Sequence, residues 1–293
     1  MNKQIILTNQ TSQGDLLQAI FYPSKGMNLI SYKKGEIEVI DPSTNVLFDQ
    51  RCAGLGALIG PHFHHRKQPH LLPHFDALIF PHLLENQKKA IKEPFSHGIA
   101  RYVPWQVKYS TTQIHASLSG SDLYKGISLK ALEGFDFKMK LDVKLLSDGL
   151  LFDYAVESEK PSIIGFHYYF CLPKETTLEA KVLPTIRENE TWGSMKKNYL
   201  FSEEKIHLNL NKDPFDVGFQ PLKVDPDPFY KVHTTSSSFD LVLHFSADND
   251  KECSFQVFKP ENSSFVCIEP LSALNPKTPI LTRSRIQYKI HIV

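Results

Sequence analysis

The sequence is poor in several things, and each shortage removes a class of protein. Only four of its 293 residues are cysteine (Cys52, Cys171, Cys253 and Cys267), widely separated and without a C-x-x-C spacing. That leaves neither a zinc ribbon nor a disulfide framework, and points to buried, reduced thiols. No charge of either sign dominates: 33 Lys and Arg stand against 32 Asp and Glu, a formal net charge of +1. A nucleic-acid binder carries a basic excess that is missing here. Long apolar runs are also missing. The longest fall far short of the ~20 residues of a membrane-spanning helix, and the N-terminus has a three-residue apolar stretch where a signal peptide needs ~7–15. The expectation is a cytoplasmic protein without a membrane segment. There is no fixed-period repeat, low-complexity tract, Gly-rich phosphate loop or nucleophile elbow. Disorder is excluded too, because 41% of the residues are hydrophobic and 11% aromatic.

What is abundant is alternation. Phe135, Phe137, Met139, Leu141, Val143 and Leu145 take every second place with charged residues between them, as in a strand wet on one face. Ser147-Asp148-Gly149 supplies a turn, and Phe152, Tyr154 and Val156 resume the pattern, which predicts an antiparallel hairpin. The same period runs through Val103-Trp105-Val107-Tyr109, Ile206-Leu208-Leu210, Phe239-Leu241-Leu243-Phe245 and Ile286-Tyr288-Ile290-Ile292. Helical signal is confined to residues 81–92 (PHLLENQKKAIK), closed by Pro94. The Pro-rich KVDPDPFYKVH reads as a loop over a sheet. The fold class expected is all-β: a large antiparallel β-sandwich with one or two short helices, residues 1–293 forming one domain.

Histidine is in surplus, 13 in all, with six of them between His62 and His82. Four stretches concentrate His, Arg, Trp or carboxylate where the alternation breaks: GPHFHHR (60–66), HGIARYVPW (97–105), GFHYYF (165–170) and CIEP (267–270). Read alone, each has a plain structural account. His167, among aromatic neighbours, fits a core histidine better than a general acid. Glu269, ending an apolar strand, is as much a rim residue as a base, since burying it unpaired is costly. Arg101 and Trp105 suit a pocket with apolar walls and a few polar groups, and equally a surface ion pair and a core indole.

The histidine-rich segment also opens like a cupin metal motif: Gly56, five residues, His62, one residue, His64. That motif then wants a glutamate, and His65, Arg66, Lys67, Gln68 and Pro69 follow instead. Two imidazoles are short of the three or more ligands of a functional site, so no metal is expected.

Together HGIAR…PW, GFHYYF and CIEP, in this order and at these intervals, resemble the aldose 1-epimerase family of galactose mutarotase-like proteins, over essentially the whole chain. The most specific elements are the H-x-Y-F of His167, Tyr169 and Phe170 and the run Val266-Cys267-Ile268-Glu269-Pro270. The resemblance implies the supersandwich fold of that family and interconversion of the α and β anomers of an aldose. It implies that His167 is the general acid at the ring oxygen, Glu269 the general base at the anomeric hydroxyl, and His97 a catalytic partner at the ring oxygen or a hydroxyl. It further implies substrate contacts from Arg66 and His65 at the place of an Asn-Arg pair and from Asp216, with Asp213 as competitor; Arg101, Trp105 and Tyr169 are candidate substrate contacts beside them. No cofactor is implied. The expected partner is a monosaccharide or a sugar phosphate, with no nucleic acid and no membrane, in a monomer or homodimer; two arginines near a sugar pocket, Arg66 and Arg101, could grip a 6-phosphate by bidentate hydrogen bonds. The chemistry calls for an imidazolium held protonated by nearby negative charge and a carboxylate held ionised by nearby positive charge.

Two departures stand out: residues 62–82 are not a hallmark of that family, and its Pro-Gly-Glu signal before the last strand is replaced by LTRSRIQYKI. Three other readings remain in view. They are a sugar-binding sandwich without catalysis, a glycoside-active enzyme needing a second carboxylate beside Glu269, and a cupin-like metal enzyme.

Overall fold

The computed structural model describes residues 4–72, 79–196 and 199–293. Its strands pair antiparallel throughout and make two broad sheets, as the alternation requires. In the expected hairpin, Phe137–Leu146 runs against Gly149–Ser158 from Phe137 opposite Ser158 to Leu146 opposite Gly149. Its buried and exposed residues alternate strictly at the start. Gly149–Ser158 then pairs with the C-terminal strand Arg283–Ile292, which pairs with Leu241–Ala247. This is the first sheet, and these strands lie where the period-2 pattern puts them; Tyr230–Thr235, at the end of KVDPDPFYKVH, joins them as a strand where a loop was expected.

The second sheet runs through Ile5–Gln10, Leu16–Tyr22, Asn28–Lys34, Gly56–Ile59, Gly165–Cys171, Phe265–Leu271, Ser254–Lys259 and Phe215–Pro221. The 12-residue strand Thr177–Glu188 joins the sheets. Its first half pairs with Tyr230–Thr235 and Lys205–Asn209 in the first sheet, and its second half with Phe215–Pro221 in the second, with a register shift between Val182 and Ile186. Pro184, which cannot donate to a ladder, sits in that shift.

Between the sheets lies an aromatic core. Phe152 of the first sheet packs on Phe166 and Tyr168 of the second, with ring centroids 5.3 and 5.7 Å apart, and Tyr288 lies 4.9 Å from Phe166. Since side chains alternate across a strand, seating Phe166, Tyr168 and Phe170 in the core turns His167 and Tyr169 to the opposite face. That face is buried as well: residues 165–170 are all buried, with His167 and Tyr169 at 7% and 5% exposure. Loops cover it, and the candidate site lies there.

Three local expectations change. The helix expected at 81–92 spans His82–Lys88, with Ala90 in the left-handed region at φ 54° just beyond it. Two further short α-helices, Asn45–Arg51 and Leu129–Glu133, join it among the described residues. The strand expected from Val103 begins only at Gln106, because Pro104 interrupts the ladder. No described helix is long and apolar enough to cross a membrane.

Candidate active site

Register builds the floor of the site. Gly165 pairs with Leu271 and Tyr169 with Cys267, so His167 and Glu269 stand side by side between them. Glu269 pairs with Gln256, Gln256 with Gly218, and Gly218 with Arg187. One cross-strand row therefore carries His167, Glu269, Gln256 and Arg187 on a single face. Gly218 is the gap in that row, and the gap is needed. A Cβ there would stand 2.7 Å from Arg187 Nη2, because the arginine lies flat across the glycine to donate to Gln256 Oε1 at 2.7 Å. Its other terminal nitrogen, Nη1, donates to the Leu274 carbonyl at 2.7 Å. Gln256 in turn donates to Asp216 at 2.6 Å.

Above this floor is a cavity of about 440 Å³, within the ~300–1,000 Å³ of small-molecule sites. His167, Tyr169, Glu269, His97, Arg101 and Asp216 line it together, six of the residues singled out by sequence. Phe63 and Phe258 add apolar wall.

The central pair is close: His167 Nε2 lies 3.5 Å from Glu269 Oε1. His167 Nδ1 and Glu269 Oε2 are buried without a hydrogen-bond partner. The Tyr169 ring stacks on the His167 imidazole at 4.8 Å and 12°. The field around the pair is the reverse of the one expected. Burial, then the positive charge of Arg101, lowers the His167 pKa to about 3. Burial, then the charge of Asp216, raises Glu269 well above the usual carboxylate range, against the opposing pull of Arg187 and Arg101. The favoured form is thus a neutral imidazole beside a carboxylic acid. It holds one proton, the same number as an imidazolium–carboxylate pair.

His97 is held by its backbone. Its N–H donates to the His64 carbonyl, the His64 N–H donates to His97 Nδ1 at 3.1 Å, and the His97 carbonyl accepts from Gly60 N. Burial, followed by Arg101 and His167, depresses its pKa well below that of a free imidazole. Neutral, with Nδ1 accepting, the ring must carry its proton on Nε2, so His97 is a fixed Nε2–H donor. Its ring meets that of His167 edge-on at 5.0 Å. Gly98, at φ 85°, lets this turn press against Gly60, whose carbonyl oxygen a Cβ would meet at 2.0 Å.

Three expected contacts lie elsewhere. Arg66 is committed to a buried charge cluster. It donates to both carboxylate oxygens of Glu93 at 2.8 and 2.9 Å and to the Glu133 carbonyl at 2.7 Å. It is outside the cavity lining, so of the arginine pair expected to grip a phosphate only Arg101 lines the cavity. His65 stacks on His64 at 4.3 Å outside the lining, and His64 takes the place on the wall. Trp105 is 5% exposed and donates Nε1–H to the Ala100 carbonyl at 2.8 Å. It therefore braces the turn carrying Arg101 from behind. Asp213 is also outside the lining, and Asp216 is inside it.

The histidine surplus goes largely into stitching loops together. His62 Nδ1 lies 2.6 Å from Glu133, His70 bonds the Ala131 carbonyl, and His82 bonds the Pro94 carbonyl. His74 lies outside the described residues. The cupin-like His62 and His64 thus serve different ends. Among the described residues one group of metal-ligand types converges, His167, Cys267 and Glu269, with ligand atoms within 4.8 Å of one another. Burial and the nearby Glu269 push the Cys267 thiol well above its ordinary pKa.

Residues not anticipated from sequence are Arg187, Gln256, Phe258, Arg51, Lys67 and Lys277, and His64, weighed there only as a metal ligand, enters as wall together with its neighbour Phe63. Gln256 had a visible signal, a polar residue inside the apolar run Phe255-Gln256-Val257-Phe258. Arg187 follows the register shift after Val182, which reassigns its face, and pattern alone does not place it.

No protein-family model matches the sequence, and no curated protein matches it. Solved structures do match in fold. A galactose mutarotase-like protein from Clostridium acetobutylicum aligns with a TM-score of 0.68 at 13% identity, over 100% of this chain and 99% of that one. The GalM/aldose epimerase homologue from C. elegans aligns at 0.67 and 15% identity, over 99% and 100%. A galactose mutarotase related enzyme from Lactobacillus acidophilus aligns at 0.66 and 13% identity, over 99% and 97%. The fold is that of galactose mutarotase-like proteins, in agreement with the resemblance read from the motifs.

Proposed function

We propose that the protein is a carbohydrate isomerase that interconverts the α and β anomers of an aldose by opening and reclosing its ring. The observation that carries this reading is the one-proton pair, His167 and Glu269, 3.5 Å apart on the floor of a cavity walled by Tyr169, Phe258 and Phe63. Ring opening needs one proton removed and one delivered. A base takes the O1 proton, and the O1–H electrons form the carbonyl. The C1–O5 bond breaks onto O5, and O5 receives a proton from an acid. Rotation about C1–C2 presents the other carbonyl face, and closure reverses the roles. The sum is zero protons and zero electrons, so a pair that holds one proton in either arrangement is sufficient.

In this reading a bound sugar draws the proton to His167, which delivers it to O5, while Glu269 receives the O1 proton. The neutral resting form avoids holding two separated charges in a dry site. When the sugar's polar groups enter, they supply hydrogen bonds to the unpartnered Nδ1 and Oε2. His97 Nε2–H donates to a sugar oxygen, and Asp216, Gln256 and Arg187 bind hydroxyls.

The test is NMR exchange or polarimetry on pure anomers. His167→Ala and Glu269→Gln are each expected to slow exchange by about 10²–10⁴-fold with the fold intact. Near-normal rates in both would overturn the assignment. Sugar binding without faster exchange in the wild-type protein would identify a binding sandwich instead.

A further inference from the structure

Glu133 ends the helix Leu129–Glu133, is fully buried and lies outside the cavity lining, so the proposed chemistry does not touch it. Both of its carboxylate oxygens are nevertheless engaged, each with a different segment of the cavity wall. Oε1 lies 2.6 Å from His62 Nδ1 and accepts from Arg66 Nη1 at 3.2 Å. Oε2 accepts from the Ile99 backbone N–H at 3.1 Å. His62 and Arg66 bracket Phe63 and His64, and Ile99 lies between His97 and Arg101; the bracketed residues line the cavity.

The two segments run against each other. Gly60 N–H donates to the His97 carbonyl at 2.9 Å, Ala100 N–H to the Gly60 carbonyl at 3.1 Å, and His97 N–H to the His64 carbonyl at 3.1 Å. The His64 N–H donates to His97 Nδ1 at 3.1 Å, and this bond leaves the His97 proton on Nε2. It holds only while the backbone at 64 keeps its distance from the ring at 97. Glu133 grips one segment just past His97, through Ile99, and the other just before His64, through His62. One rigid carboxylate therefore spans the pair and sets their separation. Stability alone is a poor reason for a carboxylate there, because a buried ion cluster often stabilises a fold no better than apolar side chains of the same volume. What charge-assisted hydrogen bonds add is short, directional geometry.

We infer that Glu133 is a positioning residue for the anomer exchange, holding His97 through Ile99 and His62 so that its Nε2–H meets the sugar. This rests on the epimerase reading, in which His97 donates to a sugar oxygen. It also gives a use to the start of the histidine-rich segment, where His62 and Arg66 are the anchors.

The test measures anomer exchange of glucose, galactose and xylose in Glu133→Ala, Glu133→Asp and Glu133→Gln. Alanine removes the acceptor of the Ile99 N–H. Aspartate keeps the charge but is one methylene too short to span both segments. Glutamine keeps an oxygen for Ile99 and offers its amide to His62 Nδ1. A misplaced donor should lower kcat by about 10–10²-fold in the alanine and aspartate variants, with KM within about threefold, while glutamine keeps kcat within about threefold of the wild type. If the alanine variant does not fold, aspartate against glutamine decides. A normal kcat in the aspartate variant with only its stability reduced shows a purely structural role and overturns the inference. So does a glutamine variant as slow as the aspartate one, since charge and not the acceptor then matters. If the wild type accelerates none of the sugars, the epimerase reading falls. The positioning is then judged by nitrogen NMR of the His97 ring, which should show a protonated Nε2 and a bare Nδ1 in the wild type and the glutamine variant, and an averaged pair in the aspartate variant. Identical resonances in all three overturn it.

Discussion

Replacing Gly218 with alanine tests the construction of the site with one methyl group. The backbone at 218 is not in the left-handed region, so alanine is conformationally admissible. On its own account it should stabilise the protein by about 0.4–1 kcal/mol through the unfolded chain. The new Cβ, however, would stand 2.7 Å from Arg187 Nη2 and 2.9 Å from its Cζ and Nε, where ordinary contact is about 3.5–4.0 Å. The guanidinium must lift by close to an ångström. It is 6% exposed and tied at both ends, to Gln256 and to the Leu274 carbonyl. Lifting stretches the 2.7 Å bond to Gln256 beyond hydrogen-bonding range. A hydrogen bond to a charged group contributes about 1.5–3 kcal/mol, so the clash outweighs the gain. The expected net is a loss of about 0.5–2.5 kcal/mol in urea unfolding, with a several-fold rise in KM as the Arg187–Gln256–Asp216 chain loosens. Gly193 in the strand Thr191–Ser194 is the control, since a Cβ there meets nothing within 4 Å. Gly193→Ala should be neutral or slightly stabilising. If the two variants are equally stable and Gly218→Ala keeps a normal KM, the account of the row is wrong.

The remaining predictions concern charge and support. The lowered pKa of His167, to about 3, and the raised one of Glu269 mean that the free site keeps one proton across the neutral range. The kcat/KM profile should therefore be flat from about pH 5 to pH 7, falling in acid as His167 takes a second proton and in alkali as Glu269 loses its own. An acid limb centred between pH 6 and 7 would contradict this. Glu133→Gln removes the carboxylate charge facing His62 Nδ1 at 2.6 Å and Arg66 Nη1 at 3.2 Å, while Arg66 keeps Glu93, and should destabilise the fold by about 1–3 kcal/mol; unchanged urea unfolding would show the cluster to be idle. Trp105→Phe should lose about 1 kcal/mol with its hydrogen bond to Ala100 while leaving KM within twofold. A tenfold rise in KM would return Trp105 to the sugar.

Much of this protein is legible in its residues. The period-2 alternation determines strands, and with them an all-β sandwich. Because a strand shows its two faces by turns, Phe166, Tyr168 and Phe170 in the core oblige His167 and Tyr169 to face away, and Val266 and Ile268 do the same for Glu269. That much follows from the one-dimensional pattern. Which strands adjoin does not, since pairing joins residues about a hundred apart; His167 meets Glu269 through a register that no local signal encodes. The register shift around Pro184 decides the face of Arg187. Nor does composition reveal which of several similar polar residues is spent on holding loops. Arg66 and His62 are consumed by Glu93 and Glu133, while Arg101 stays unpaired at the cavity. The sequence by itself determined the strands and the kinds of groups available for acid–base chemistry. The tertiary structure decided their neighbours, and through burial and nearby charge it decided that the pair rests neutral.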